Sequence, residues 1–157
     1  MNIPGGELYT ALQTGVIDAT EWVGPYNDLA FGFQQIAKYY YFPGWHEPGS
    51  MLEFIINLDA WNELPTHLQS IVKTAAKAVN QDLLDEYTAM NNQALRELID
   101  VHNVQLKKLP DDVINEFRVI SKSVLDEIAE NDNQFKSIYE SYLKFKSEVV
   151  SLSLIHI

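Results

Sequence analysis

The 157-residue sequence contains no cysteine. Disulfide bonds, thiolate nucleophiles and cysteine-based zinc sites are therefore excluded, although this absence leaves the cellular compartment undecided. Basic residues are scarce: 11 Lys and Arg stand against 22 Asp and Glu, which gives a formal net charge of −11. Binding to nucleic acid or to anionic lipid depends on clustered positive charge, so the charge balance argues against both partners. The charge balance does not exclude the binding of a small anionic ligand, because such a ligand needs only a local cation or oriented N–H groups.

Long apolar runs are also missing. No run approaches the roughly 20 residues of a membrane-spanning helix, and residues 1–6 lack the basic and apolar segments of a signal peptide. Taken alone, this favours the cytoplasm. The abundant residues, 46% hydrophobic and 21% charged, are typical of a globular chain that buries a sizeable core.

Residues 1–57 are predicted to contain both short helices and strands. Turn-forming dipeptides separate short runs with helix or strand propensity. Gly15 is placed to end the first helix, because glycine adopts the left-handed conformation that follows many helices. The predicted elements are a helix over 7–14, strands over 16–23, 39–42 and 51–57, a loop with a short helix over 26–38, and a turn over 45–50.

Residues 58–103 are predicted to form a connecting spine, most of it one long helix over 66–102. Apolar side chains recur there every three or four residues, which is the period of one helix face. A helix of roughly 35 residues spans about 50 Å, so it suggests a link between two lobes. The stripe, predicted to be core, contains Leu68, Val72, Ala75, Val79, Leu83, Tyr87, Met90, Ala94, Leu98 and Val101.

Residues 104–150 are predicted to contain a hinge strand followed by C-terminal helices. The strand covers 104–109, and the two helices cover 110–130 and 135–149, with a break at Asn131-Asp132-Asn133. The helical period places a set of apolar side chains inward, namely Val113, Phe117, Ile120, Val124, Ile128, Phe135, Ile138, Tyr142 and Phe145.

Residues 151–157 are interpreted as a non-native tail. The stretch LSLIHI equals the translation of a transposon end that is used in sequencing-library adapters, and it does not continue the helical pattern. The alternative is a chance match within a genuine tail.

Glu21 is the most informative acidic residue. It lies in an otherwise apolar stretch, beside Trp22 and just before Gly24-Pro25. A carboxylate in a buried apolar stretch must pair, bind a cation or become protonated. The alternative, which the residues alone favour, is a surface glutamate on an edge strand.

Trp45, His46 and Glu47 lie in a predicted turn, where functional groups are often found. His46 and Glu47 could act as acid and base. An ordinary exposed turn with Trp45 packed inward explains the same residues, and it is the favoured interpretation. The other histidines lie too far apart for zinc-ligand spacing.

Residues 3–25, IPGGELYTALQTGVIDATEWVGP, resemble the solute receptors of TRAP transporters, whose pattern is GGE-(L/I)-Y-x-ALQ-x-GV(I/V)DA-x-EW. Residues 39–47, YYYFPGWHE, resemble the branch of that family that binds 2-oxo and 2-hydroxy acids. The resemblance extends to about residue 150, but it is sharpest over residues 3–57 and only architectural in the helices.

This resemblance implies an α/β fold like that of periplasmic binding proteins, with two lobes that close over an acid and a long helix across both. It implies that residues 1–57 belong to the ligand-cleft lobe, and that a first lobe with its signal peptide lies upstream. The family's carboxylate-binding arginine and a glutamine ligand would lie in that missing lobe. The implied location is the periplasm, and the implied role is not enzymatic.

The resemblance also assigns roles to individual residues. Glu21 matches the acidic residue that coordinates a cation, Na⁺ or Ca²⁺, and Trp22 matches the residue whose carbonyl and ring border the ligand. Hard cations take oxygen ligands, so a carboxylate and a carbonyl suit them. Glu47 matches an acidic position facing the pocket, with Trp45 and His46 beside it as substrate-binding candidates. His46 departs from the aromatic residue expected there.

The function implied is delivery of a pyruvate-like monocarboxylate to a membrane permease, with the cation bridging Glu21 and the acid. The full-length receptor could dimerise through its C-terminal helices. Two alternatives stay open at this point. A metal-assisted enzyme using Glu21 and His46 predicts turnover of a small acid, and a helical interaction module built on residues 66–149 predicts a protein partner without a ligand.

Overall fold

The computed structural model describes residues 2–45, 47, 49 and 52–153, with the backbone alone over 151–153. The chain divides into two compact units, Met1–Lys108 and Leu109–Ile157. The elements of the first unit are helices α1 (Gly5–Gln13), α2 (Pro25–Phe31), α3 (Leu58–Glu63) and α4 (Thr66–Asp100), and strands β1 (Tyr39–Phe42) and β2 (Gln105–Lys108).

Strands β1 and β2 form a parallel two-stranded sheet, in which Tyr39 pairs with Gln105 and Phe42 with Lys108. Both strands were predicted, and both are confirmed. The segment between them includes α4, as expected because parallel neighbours need a long crossover. The turn from α4 into β2 is closed by Asn103, whose positive φ of 56° allows the Val104 N–H to donate to the Leu98 carbonyl.

The core of the first unit is small. Its buried apolar side chains are Leu8, Ala11, Phe33, Ala94, Leu98 and Val104. The helix predicted over 66–102 is confirmed, but only the C-terminal part of its apolar stripe is covered, and Val79 is 63% exposed. The prediction that the whole stripe is core is therefore wrong for this unit. Tyr39, Tyr41 and Phe42 are exposed.

Two of the predicted strands do not form in the part of the chain that the structure describes. Residues 16–23 form no strand, because the Val16 and Ile17 N–H groups both donate to the Ala11 carbonyl at the end of α1, which consumes donors that a strand would need. Residues 52–57 form no strand: a strand requires a neighbouring strand, and the two strands of the described residues pair only with each other. Met51 lies outside the described residues.

The second unit is a helical pair, α5 (Asp111–Asn131) and α6 (Asn133–Ser153). Asp132 separates the two helices and caps the second, because its Oδ1 accepts from the Gln134 N–H at 2.8 Å and the Phe135 N–H at 3.0 Å. Of the apolar side chains in the helices, Ile114 is buried. Several side chains that were predicted to face inward are instead exposed, namely Ile120, Val124, Ile128, Ile138, Tyr142 and Phe145.

The backbone of α6 runs through Ser153, beyond the predicted end at residue 149, and residues 154–157 lie outside the described part. None of the helices in the described part of the chain is both long and apolar enough to cross a membrane. The division into a cleft lobe over 1–57, a spine over 58–103 and a hinge with helices over 104–150 stays a prediction.

Candidate functional site

Glu21 and Trp22 line one pocket of about 400 Å³. Glu21 is exposed and Trp22 is half-buried. The carboxylate is therefore not sealed in an apolar strand, as its sequence neighbours suggested, but stands at an accessible cavity. The other side chains that line the cavity are Asn2, Ile3, Leu8, Ile17, Ala19 and Thr20.

The end of α1 directs the chain toward this pocket. Gly15 adopts a φ of +74°, a left-handed conformation that costs glycine little, and this confirms its predicted role in ending the helix. The Val16 and Ile17 N–H groups then bond to the Ala11 carbonyl at 2.9 and 3.3 Å. These bonds hold the chain against α1 just before the site residues.

The Trp22 indole lies between α1 and α2. A Cβ atom at Gly5 would lie 2.7 Å from Trp22 Cη2, a distance that real Cβ atoms do not reach. The Trp22 ring also lies 5.2 Å from the Phe31 ring, with the two planes tilted by 43°. The absence of a side chain at Gly5 thus makes room for the indole that borders the pocket.

Helix α2 begins directly after the site, with Gly24 as its N-cap and Pro25 at its first position. No side chain of α2 itself caps this end. Instead, Asn91 Oδ1 on the long helix α4 accepts the Tyr26 N–H at 2.9 Å. Gly24 packs against the same amide, since a Cβ there would lie 3.3 Å from Asn91 Oδ1. Helix α4 therefore fixes the position at which α2 starts.

Asp28, near the start of α2, is only 8% exposed. Tyr40 on β1 donates its hydroxyl hydrogen bond to Asp28 Oδ2 at 2.5 Å. Burial raises the pKa of Asp28, and this rise is opposed first by the Tyr40 hydrogen bond and then by the backbone N–H groups of Gly24 and Val23. Burial also raises the pKa of Tyr40, as do its hydrogen bond to Asp28 and the negative charges of Asp28 and Glu21. The phenol is thus neutral and acts as a donor.

The donor chemistry at the pocket fits a hard cation only in part. A glutamate carboxylate and a backbone carbonyl are oxygen ligands of the kind that Na⁺ and Ca²⁺ take. Within residues 2–45, 47, 49 and 52–153, however, no three His, Cys, Asp or Glu side chains come together as a metal site. Calcium takes six to eight oxygens. Glu21 and Trp22 can therefore supply part of a cation's shell, and the remaining ligands must come from elsewhere.

Neither Trp45 nor Glu47 lines this pocket. Trp45 is 48% exposed, Glu47 is exposed, and neither belongs to the cavity that holds Glu21. His46 lies outside the described residues. The roles of Trp45, His46 and Glu47 as substrate-binding residues stay predictions.

Sequence reasoning missed four residues that support the site: Gly5, Asp28, Tyr40 and Asn91. The Gly5-Gly6 pair stood out in the sequence as a turn-forming dipeptide. Only the close approach of the Trp22 ring shows which of the two glycines must lack a side chain. Asp28 could have been singled out from the sequence, because it is an acidic residue directly before the apolar stretch Leu29-Ala30-Phe31. No local pattern marked Asn91, which contacts α2 across 65 residues of sequence.

Comparisons with known proteins bear on this geometry. Residues 1–132 match the family described as bacterial extracellular solute-binding protein, family 7. A protein of a Nostoc species, named a monocarboxylate 2-oxoacid-binding periplasmic protein, is 41% identical over 147 residues. The match covers 94% of this chain and 40% of the Nostoc protein.

Two crystal structures are also similar. A TRAP transporter solute-binding protein from Bordetella bronchiseptica is 35% identical, with a TM-score of 0.88, over 97% of this chain and 45% of its own. It is described as a mixed-occupancy dimer with copurified calcium and picolinate in the bound active site. The second is a TRAP periplasmic solute-binding protein from Rhodobacter sphaeroides, in an apo open state. It is 23% identical, with a TM-score of 0.61, and the match covers 94% of this chain and 47% of the Rhodobacter protein. This similarity supports the fold alone.

The chain thus spans less than half the length of these relatives. Their similarity confirms the predicted fold class, a portion of a two-lobed periplasmic-binding-protein fold, here mostly helical with a small sheet. It also confirms that the family consists of transport receptors and not of enzymes. The chain belongs to bacterial extracellular solute-binding protein family 7, the solute receptors of TRAP transporters.

Proposed function

We propose that the chain forms part of a periplasmic TRAP receptor that binds a small 2-oxo or 2-hydroxy monocarboxylate, such as pyruvate, together with a cation. The single observation that carries the proposal is the pocket shared by Glu21 and Trp22. Two relatives support it: the Nostoc protein is named for 2-oxoacid binding, and the Bordetella protein copurified with calcium and picolinate.

In this proposal, the Glu21 carboxylate and the Trp22 carbonyl hold the cation, Ca²⁺ or Na⁺. When bound, the cation supplies positive charge between the carboxylate of Glu21 and that of the ligand. Without it, two like charges at close range would repel each other. The Trp22 ring, held by Gly5 and Phe31, forms an apolar wall for the carbon skeleton of the acid.

The rest of the binding shell would come from a second lobe. The chain corresponds to about two fifths of the Nostoc protein, so the remaining ligands and the other wall of the cleft are assigned to the rest of the receptor. Closure of two lobes around a ligand would bury the acid, and the closed form would dock to the membrane permease. A homodimer of the full-length receptor is part of the same proposal, given the dimer described for the Bordetella protein.

The test is isothermal titration of the full-length receptor with pyruvate, in calcium-containing buffer and after chelation. Glu21→Gln removes the charge but keeps the size and one oxygen. We expect a loss of about 100-fold or more in calcium-dependent affinity, because a charged ligand of a cation contributes more than a neutral one.

The matched control is Asp18→Asn, which removes one negative charge from the same segment. Asp18 is exposed and does not line the pocket, so its loss should leave the affinity within about twofold, as for screened surface charges. Equal effects of the two variants would show that only general charge matters and would contradict a ligand role for Glu21.

A further inference from the structure

Helix α2 connects the long helix α4 to the pocket residue Trp22. It has seven residues, Pro25–Phe31, and a helix rises 1.5 Å per residue, so its two ends lie only about 10 Å apart. Its first turn contacts α4, whereas its last residue, Phe31, contacts the ring of Trp22. A displacement of the first turn would therefore move the residue against which Trp22 packs.

Two side chains of α4 hold the first turn of α2. Tyr87 and Asn91 are four residues apart and thus lie on one face of α4. Asn91 Oδ1 accepts the Tyr26 N–H at 2.9 Å, and the Tyr87 hydroxyl accepts a hydrogen bond from Asn27 Nδ2 at 3.3 Å. The Tyr87 ring also meets the Tyr26 ring edge-on, with the centroids 5.9 Å apart. Polar and aromatic contacts together therefore fix this turn on α4.

The last residue of α2 is fixed as well. The Phe31 ring lies 5.1 Å from the ring of Phe33, which is only 7% exposed. Phe31 thus contacts a buried ring in addition to the ring of Trp22. A side chain packed in this way has little freedom to move independently of its helix, so the position of α2 determines where the Trp22 ring can rest.

We propose that Asn91 is a positioning residue for the acid site, and that it acts through α2 and Phe31 on the Trp22 ring. The inference rests on the proposed function, because it takes Trp22 as a wall of that site. Asn91 itself does not line the pocket. Loss of its acceptor oxygen frees the first turn of α2, moves Phe31 and loosens the indole that borders the pocket.

The first test is a titration of the full-length receptor with pyruvate at saturating calcium. Asn91→Ala should weaken pyruvate binding about fivefold, the effect of losing one hydrogen bond. Loss of a single hydrogen bond leaves the native state in large excess, so a merely structural role would not change the measured affinity. Tyr87→Phe removes only the second acceptor and should weaken binding about twofold. Unchanged affinity in both variants would overturn the inference.

Two further variants control for the identity and the place of the change. Asn91→Asp keeps an acceptor oxygen, and aspartate caps helices as well as asparagine does, so its affinity should stay within about twofold of that of the unmodified receptor. Asn92→Ala, at the next and exposed position of α4, should leave the affinity unchanged. A loss in Asn92→Ala equal to that in Asn91→Ala would contradict a specific role for Asn91.

The second test follows the indole itself in ligand-free receptor. The indole N–H resonance of Trp22 is identified by its loss in Trp22→Phe. An aromatic ring shifts the resonances of nuclei close to it, so Phe31→Leu should move this signal. Asn91→Ala should move it too if α2 carries the effect, whereas Asn92→Ala should not. A Trp22 signal that Asn91→Ala leaves in place would overturn the route through α2.

The failure of this inference can be told from that of the proposed function. If Glu21→Gln abolishes calcium-dependent binding of pyruvate while Asn91→Ala leaves it unaltered, the positioning role fails and the proposed function stands. If the unmodified receptor binds no pyruvate in the presence of calcium, the proposed function fails, and the role of Asn91 at an acid site fails with it.

Discussion

Among single residues, the contact between Gly5 and Trp22 gives a structural reason for the motif GGE…EW. Two glycines stand side by side at the start of α1, yet the indole of Trp22 packs only against the first. The ring then contacts Phe31 and forms one wall of the pocket. The spacing between the glycines and Trp22 is thus explained by a close contact between the backbone of one segment and the ring of another.

Gly5→Ala should disturb this wall. The new methyl group would lie 2.7 Å from Trp22 Cη2, so the indole must shift, and overpacking of this kind costs about 1–3 kcal/mol. Denaturant unfolding of the full-length receptor measures the loss, and the tryptophan emission spectrum should change with it.

Gly6→Ala provides the matched control for Gly5→Ala. A Cβ atom at Gly6 would meet no atom of the described residues within 4 Å. Gly6 also lies one position further along α1, where alanine is the better helix former by about 0.5–1 kcal/mol. We expect no loss of stability from this change. A similar loss from both substitutions would refute the contact between Gly5 and Trp22 as the cause.

The burial of Asp28 leads to a prediction about how the stability of the protein depends on pH. Its pKa is raised from 3.8 in the folded protein, chiefly by burial, so the folded state holds its proton more tightly than the unfolded state does. The stability that this proton contributes is complete below pH 3.8 and is lost as the pH rises through the folded pKa.

The measurement is the free energy of unfolding of the receptor and of Asp28→Asn, from about pH 3.5 upward in urea. The difference between the two should shift in favour of the variant as the pH rises, because asparagine carries no charge to bury. A constant difference across that range would contradict a raised pKa.

Among elements, the contrast between α4 and the two absent strands shows what the sequence could and could not specify. A helix satisfies its own backbone hydrogen bonds, so its apolar period predicted α4 to within two residues. Residues 52–57 have strand-forming side chains, but a strand needs a neighbour. Residues 16–23 lost that conformation to hydrogen bonds with the end of α1.

Like the secondary structure, the candidate site could be predicted only in part from the sequence. The motif and its resemblance identified Glu21 and Trp22, which do share a pocket. The supporting contacts could not be predicted, because they join distant positions: Asn91 to the start of α2, and Tyr40 to Asp28. Neither the periodicity of apolar residues nor the spacing of a motif indicates such contacts, because they form only when the chain folds.

Asn91→Ala tests whether α4 positions α2. The change removes the acceptor of the Tyr26 N–H, and loss of a helix cap costs about 1 kcal/mol. Asn92→Ala, at the next and exposed position of α4, should have little effect. Urea unfolding of the two variants gives the comparison. Equal stability of both would mean that the contact between α4 and α2 contributes nothing.

For the whole molecule, the apolar surface is the most informative feature. Leu52, Phe54 and Ile55 are between 75% and 85% exposed and lie within four consecutive residues. An exposed apolar cluster of this kind is typical of a surface that another part of the protein covers. The relatives are more than twice as long as this chain, which supports assigning that covering role to the rest of the receptor.

Residues 1–157 produced alone should therefore associate and bind a hydrophobic dye, whereas the full-length receptor should not. Light scattering and dye fluorescence, compared at equal molar concentration, test this prediction. A monomeric, dye-free sample of the 157 residues would show that the exposed segment needs no cover.

The proposed function requires Glu21 and Trp22 to belong to a cation-dependent acid site. We would test this first by titrating the full-length receptor with pyruvate, followed by tryptophan fluorescence, with calcium present or chelated. Because Trp22 borders the pocket, we expect a saturable change in emission with calcium and none after chelation. Saturation that is the same with and without calcium, or no response in either buffer, would show that the acid site of Glu21 and Trp22 does not depend on a cation.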